Sequence, residues 1–170
     1  MGNKKSMRKV VEVWLRDEEQ PLLLEQYFAK SSDPYGKKRE FIRNISDRIF
    51  GNGIMVICGE SNIANFAPKK GNFKDPFSFN DILKSNEVKF IFNPLHDYMT
   101  RYEMKKKRGY YSRGQRAVIT VWNQGKRKGE AAVPWTLFYN GKDVTGQVQE
   151  IPCQIPTRPD IRIGILPDII

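Results

Sequence analysis

The sequence predicts an α/β fold built on a mixed, largely parallel sheet with helices. Three observations carry that expectation. Short apolar runs rich in β-branched and aromatic residues recur at Gly53–Cys58, Val88–Phe92 and Ala117–Trp122. Between them lie segments with helical apolar spacing or helix-start chemistry. Strand, helix, strand, helix, strand at these separations is the pattern of right-handed crossovers.

Taken in order, Val10–Leu15 reads as a strand. Asp17 to Pro21 reads as the start of a short helix carrying Leu22, Leu23, Leu24, Tyr27 and Phe28, with Pro21 in the first turn. Residues 31–36 are loop. Phe41, Ile42, Ile45, Ile49 and Phe50 fall at helical spacing, predicting a helix over 37–50 that stops at Gly51. The Cys58 strand follows, then an irregular stretch from Asn62 to Pro76. Ser78, with Asp81 three residues on, opens a short helix. A strand at 88–92 ends at Asn93-Pro94, and a helix covers Tyr98 to Tyr111. Strands follow at 117–122 and at 135–139, the latter closed by Asn140-Gly141. The tail from 146 to 170 carries Pro152, Pro156, Pro159 and Pro167, with one strand at 161–166.

A chain of 170 residues suits one domain, here taken as 1–170 with 146–170 as a proline-rich tail. Its 39% apolar and 28% charged residues are those of an ordinary globular protein. No apolar run is long enough to span a bilayer, and the first residues lack a signal-peptide core. Two cysteines, Cys58 and Cys153, make no disulfide framework, so a cytoplasmic location is expected. One histidine and two distant cysteines offer no metal-ligand spacing.

The net charge of +10 concentrates between Arg101 and Lys128. Arg101, Lys105, Lys106, Lys107 and Arg108 open that run, and Glu103 is the acid within it. One reading is a patch for nucleic-acid phosphates, in a binding protein or a nuclease. The other is a solvated helix face. No zinc spacing, RNP-type aromatic motif or helix-turn-helix accompanies the run.

The chemistry-bearing stretch is Ile54-Met-Val-Ile-Cys58-Gly59-Glu60. A strand that delivers a thiol to its C-terminal end, with a glycine at the turn, is one way α/β enzymes present a nucleophile. The same placement also suits a small buried hydrophobe. His96 follows the next strand and would orient a substrate or carry a proton beside Cys58; a hydrogen-bonded structural histidine is the alternative.

These residues resemble the catalytic-cysteine strand of the nitrilase superfamily, the carbon–nitrogen hydrolases. Phe90-Ile-Phe-Asn-Pro94 is similar to that family's next strand, and residues 101–116 fall where its following helix lies. Val118-Ile-Thr-Val-Trp-Asn123-Gln-Gly125 is similar to its strand ending in Asn-x-x-Gly, and 135–144 to the hairpin after it. The match runs over residues 54 to 145.

The resemblance implies an α-β-β-α sandwich and a Glu-Lys-Cys triad that cleaves an amide or nitrile through a thioester, without a cofactor. Cys58 would be the nucleophile, Lys30 the lysine, and the Gly59 amide an oxyanion donor, with Glu60 and Asn93 beside the substrate. It also implies a small-molecule substrate and a homodimer. The chain departs from the family upstream: Glu12, Glu18, Glu19 and Glu25 precede the cysteine, but none stands at a strand end like the family's base. A truncated or degenerate member is therefore among the expectations.

Overall fold

Helical crossovers at the centre and tight hairpins at the edges set the strand order of the main sheet. The computed structural model describes residues 10–15, 19–95, 102–122, 133–152 and 162–168. The strands are β1 (Val10–Val13), β2 (Leu22–Glu25), β3 (Ile49–Phe50), β4 (Gly53–Met55), β5 (Asn65–Ala67) and β6 (Asn72–Lys74). They continue as β7 (Phe90–Leu95), β8 (Ala117–Trp122), β9 (Trp135–Tyr139), β10 (Lys142–Asp143), β11 (Gln149–Ile151) and β12 (Ile163–Ile165). Helices are α1 (Tyr35–Arg43), α2 (Phe79–Ser85) and α3 (Tyr102–Tyr111).

The main sheet has the order β10-β9-β8-β7-β4-β3. Its three central strands β4, β7 and β8 are parallel. The outer pairs are antiparallel. Parallel neighbours need a crossover, and α2 and α3 lie in the two that join these strands. The fold is therefore the mixed α/β sheet that the apolar runs predict.

Ile54, Ile91, Val118 and Phe138 are successive register partners and form one row across four strands. Phe41 of α1, Phe79 and Leu83 of α2, and Tyr111 of α3 belong to the same buried cluster. A second cluster gathers Met55, Ile57, Cys58 and Leu95 with Val13 and Leu24 of the β1–β2 hairpin. Burial of both faces explains why the central strands read as unbroken apolar runs.

Several elements differ from the sequence expectation. Leu22–Glu25 is a strand, not a helix, paired with Val10–Val13 in a Val10↔Glu25 register. Three consecutive leucines carry no period, so the partner strand decided. The helix expected over 37–50 ends at Arg43, and a 3-10 segment covers Ile45–Arg48. Ile49 and Phe50 instead return against Ile54 and Gly53, and Gly51, at φ +56°, makes that hairpin turn.

The stretch from 62 to 76 contains the β5–β6 hairpin, with the rings of Phe66 and Phe73 centred 5.0 Å apart. Ser78 makes no side-chain cap on α2; the Asp75 carboxylate accepts the Phe79 and Asn80 amides, each at 2.9 Å. Strand β7 runs on through Pro94, beyond its last register pair with β4 at Met55↔Phe92. A proline there removes no bond to β4. Asn140 (φ +47°) and Gly141 (φ +83°) form the expected primed turn into β10.

Candidate active site

The chain leaves β4 in extended form, with the Val56 amide donating to the Phe92 carbonyl at 2.8 Å. Cys58 then takes φ +46° and opens a 3-10 segment, Cys58–Ile63. A left-handed conformation at a residue with a Cβ is strained, and it persists only where the surroundings over-determine it. They do so here. The Cys58 carbonyl accepts from Ser61 Oγ at 3.1 Å and from Asn93 Nδ2 at 3.3 Å. Asn93 Nδ2 also donates to the Val56 carbonyl at 2.5 Å. Asn93 is itself buried on β7, so one amide group holds both carbonyls that flank the turn.

Glu60 braces the turn from inside. Its side chain is 0% exposed. Oε1 accepts from the Tyr27 amide at 2.7 Å, and Oε2 accepts from the Ile57 amide at 2.7 Å and from Arg48 Nη1 at 2.9 Å. Burial pushes the Glu60 carboxyl up to about 7, against Arg48 and the two amides, which pull it down. Arg48, buried in turn, donates through Nη2 to the Glu25 carbonyl and lies over the rings of Tyr27 and Phe41, at 5.0 and 5.2 Å. The resemblance puts Glu60 beside a substrate; the structure engages both its oxygens within the fold. Arg48 had no signal in the sequence, because its partner lies in a different element.

Gly59 is required by another part of the chain. A Cβ there would lie 2.0 Å from the Ala29 carbonyl oxygen. Asn62 Nδ2 donates to that same oxygen at 2.8 Å. The contact brings the segment bearing Lys30 onto the turn. Lys30 is exposed, and its amide and that of Ala29 donate to Asp33 Oδ2 at 2.9 and 2.7 Å. Those two amides hold the Asp33 carboxyl below its usual range.

His96 and Arg101 lie outside the described residues. Leu95, the residue before His96, packs in the same cluster as Cys58. Helix α3 divides the basic run. Lys105 and Lys106 are exposed, whereas Lys107 and Arg108 are interior. Lys107 Nζ donates to Asn62 Oδ1 and pairs with Glu103 at 3.1 Å. Arg108 Nη1 donates to Thr136 Oγ1 at 3.1 Å, and its guanidinium lies over the Phe138 ring at 5.9 Å. Burial lowers the Arg108 pKa to about 10. Ser61, Asn93, Lys107 and Arg108 border an internal cavity of about 10 Å³, room for a single water. The expected single basic face is therefore two populations, one solvated and one inside the fold.

Among the described residues, no cluster of His, Cys, Asp and Glu could hold a metal ion, and no helix is long and apolar enough to cross a membrane. Fold and site together define an α/β protein with a cysteine on a braced strand-to-helix turn at the C-terminal end of parallel strands. Comparison with protein-family models, curated proteins and solved structures finds no significant match.

Proposed function

We propose that this chain is a cysteine-dependent hydrolase of non-peptide carbon–nitrogen bonds, with Cys58 as its nucleophile. The observation that carries the reading is the left-handed backbone of Cys58 on a turn leaving β4. A strained strand-to-helix turn is the backbone shape of a nucleophile elbow, and here Cys58 is 8% exposed, in the cluster with Val13, Leu24, Met55, Ile57 and Leu95. Four hydrogen bonds around residues 56–60 are compatible with a turn kept in that shape rather than relaxed.

In this reading the Cys58 thiolate attacks the carbon of a small amide or nitrile. Lys30 stabilises the tetrahedral intermediate, and the Gly59 amide, in the first turn of the 3-10 segment, donates to its oxyanion. For an amide the amine departs, and water then releases the acid from the thioester. His96 follows a residue packed in the Cys58 cluster and is the candidate for the proton transfers. Asn93 positions the turn through two carbonyls, both held by its Nδ2.

The test is a panel of small amides and nitriles incubated with the full chain, with peptide mass spectrometry to find the acyl adduct. The expected result is an adduct on the Cys58 peptide that is absent in Cys58→Ala and lost on adding hydroxylamine. Iodoacetamide should also modify Cys58 faster than Cys153 in the folded chain. No adduct across the panel, with Cys58 alkylated more slowly than Cys153, would reject the reading.

A further inference from the structure

At the other end of the parallel strands lies a second cleft, of about 580 Å³. Its walls are the lead-ins of the central sheet and the end of α2: Gly51 and Asn52 before β4, Lys89 before β7, Gly114 and Arg116 before β8, and Lys84, Asn86 and Glu87. A volume in this range suits a small molecule.

Arg116 makes this cleft more than a gap between connections. Its side chain is 5% exposed. Nε donates to the Tyr111 carbonyl at 2.9 Å, and Nη2 donates to Asn80 Oδ1. Both acceptors are neutral. Among the described residues no carboxylate forms an ion pair with Arg116. A buried guanidinium without an opposing charge is costly, and an anion entering the cleft would offset that cost. Burial accordingly lowers its pKa from the ordinary arginine value.

The third nitrogen, Nη1, makes no hydrogen bond among the described residues and lies 3.8 Å from where a Cβ of Gly114 would stand. Gly114 adopts φ +73° and lines the cleft, so no side chain covers the guanidinium on that side. Lys84 and Lys89 are exposed on the same walls, opposed by the single carboxylate of Glu87. Three cations and one anion leave two positive charges, which match a phosphate dianion. A guanidinium pre-oriented by two other bonds presents its remaining N–H groups to an oxyanion at little entropic cost.

We infer that this cleft binds the phosphate group of a small phosphorylated molecule, with Arg116 Nη1 as the fixed donor and Lys84 and Lys89 as mobile counter-charges. The site is independent of Cys58, which stands at the opposite ends of the same strands. A purely structural Arg116, pinning α2 to the end of α3, would use Nε and Nη2 and leave Nη1 to water.

The experiment titrates the full chain with inorganic phosphate at ionic strength held constant with sodium chloride, followed by backbone amide chemical shifts. Saturable shifts at Asn52, Lys89 and Gly114 are expected. The Lys84→Gln/Lys89→Gln double variant changes exposed residues only and keeps the fold. It should weaken binding by about tenfold or more, as loss of charge-assisted bonds does. Arg116→Lys should weaken it further. A phosphomonoester such as phosphoserine should bind at least as tightly as inorganic phosphate. Shifts that do not saturate, or saturable binding indifferent to the double variant, would overturn the inference. Tighter binding of a single-stranded oligonucleotide than of the phosphomonoester would overturn it in favour of a nucleic-acid surface.

Discussion

Arg48 and Glu60 form a fully buried ion pair, Nη1 to Oε2 at 2.9 Å, that ties the turn after Cys58 to the 3-10 segment before β3. Above about pH 7, where the Glu60 carboxyl is ionised, removing either partner strands a charge in the interior. Arg48→Met or Glu60→Gln should each cost about 3–5 kcal/mol, measured by urea unfolding. A double replacement by apolar residues of similar volume should cost much less than the sum. Single-variant losses within about 0.5 kcal/mol would mean that the pair contributes nothing to holding the turn.

The same pair sets a pH dependence. The Glu60 carboxyl is raised in the folded state, so folding favours its protonated form. Its contribution to stability is fully present below the unfolded carboxyl value and is lost as pH rises to about 7. Above that it is flat. The unfolding free energy of wild type minus that of Glu60→Gln should therefore fall between pH 5 and pH 7, by at most about 1.4 kcal/mol per pH unit. A difference that rises with pH in that window would show that Arg48 and the amides outweigh burial.

Gly59 and Gly36 make a matched contrast. Gly59→Ala drives a methyl group into the Ala29 carbonyl and should destabilise by about 3 kcal/mol or more. The added methyl at Gly36, in the first turn of α1, meets nothing within 4 Å. Gly36→Ala should stabilise by up to about 1 kcal/mol. Equal melting temperatures for the two variants would contradict the close packing of Ala29 on the turn.

Cys58 carries its strain in the backbone, which a pair of substitutions can expose. Cys58→Gly and Cys58→Ala both remove the thiol, but only glycine adopts φ +46° without penalty. Cys58→Gly should be the more stable by about 1 kcal/mol, although glycine is ordinarily the more destabilising choice. The reverse order would mean that the turn relaxes and holds no fixed left-handed residue.

The central strands β4, β7 and β8, and β9 with its Asn140-Gly141 turn, were readable because local pattern and tertiary role agree: apolar runs buried on both faces, then a dipeptide that favours positive φ. The apolar run leading to Cys58 was readable for the same reason, but β4 ends at Met55 and Cys58 opens the 3-10 segment beyond it, which the run did not reveal. Leu22–Glu25 was not, since its strand character comes from pairing with β1. Ile49 and Phe50 fit a helical period by coincidence, and their place is fixed by Ile54 and Gly53 across a turn. The brace around Cys58 was hidden too. Tyr27, Ala29 and Arg48 meet residues 59 and 60 across long stretches of chain, and no local spacing encodes that. Lys107 and Arg108 were read with their charged neighbours because a run of cations does not reveal which face of α3 turns inward.

The main sheet ends on both sides in strands of two residues, β10 and β3, each folded back by a hairpin from the strand it covers. Long unpaired edges are templates for strand addition by other chains, and here the lateral borders are too short to seed it. Growth of ordered aggregates by edge-to-edge extension of this sheet is therefore disfavoured by its topology. Among the described residues, strand addition by another chain would fall instead to the two-stranded hairpins β1–β2, β5–β6 and β11–β12, whose outer edges have no partner strand.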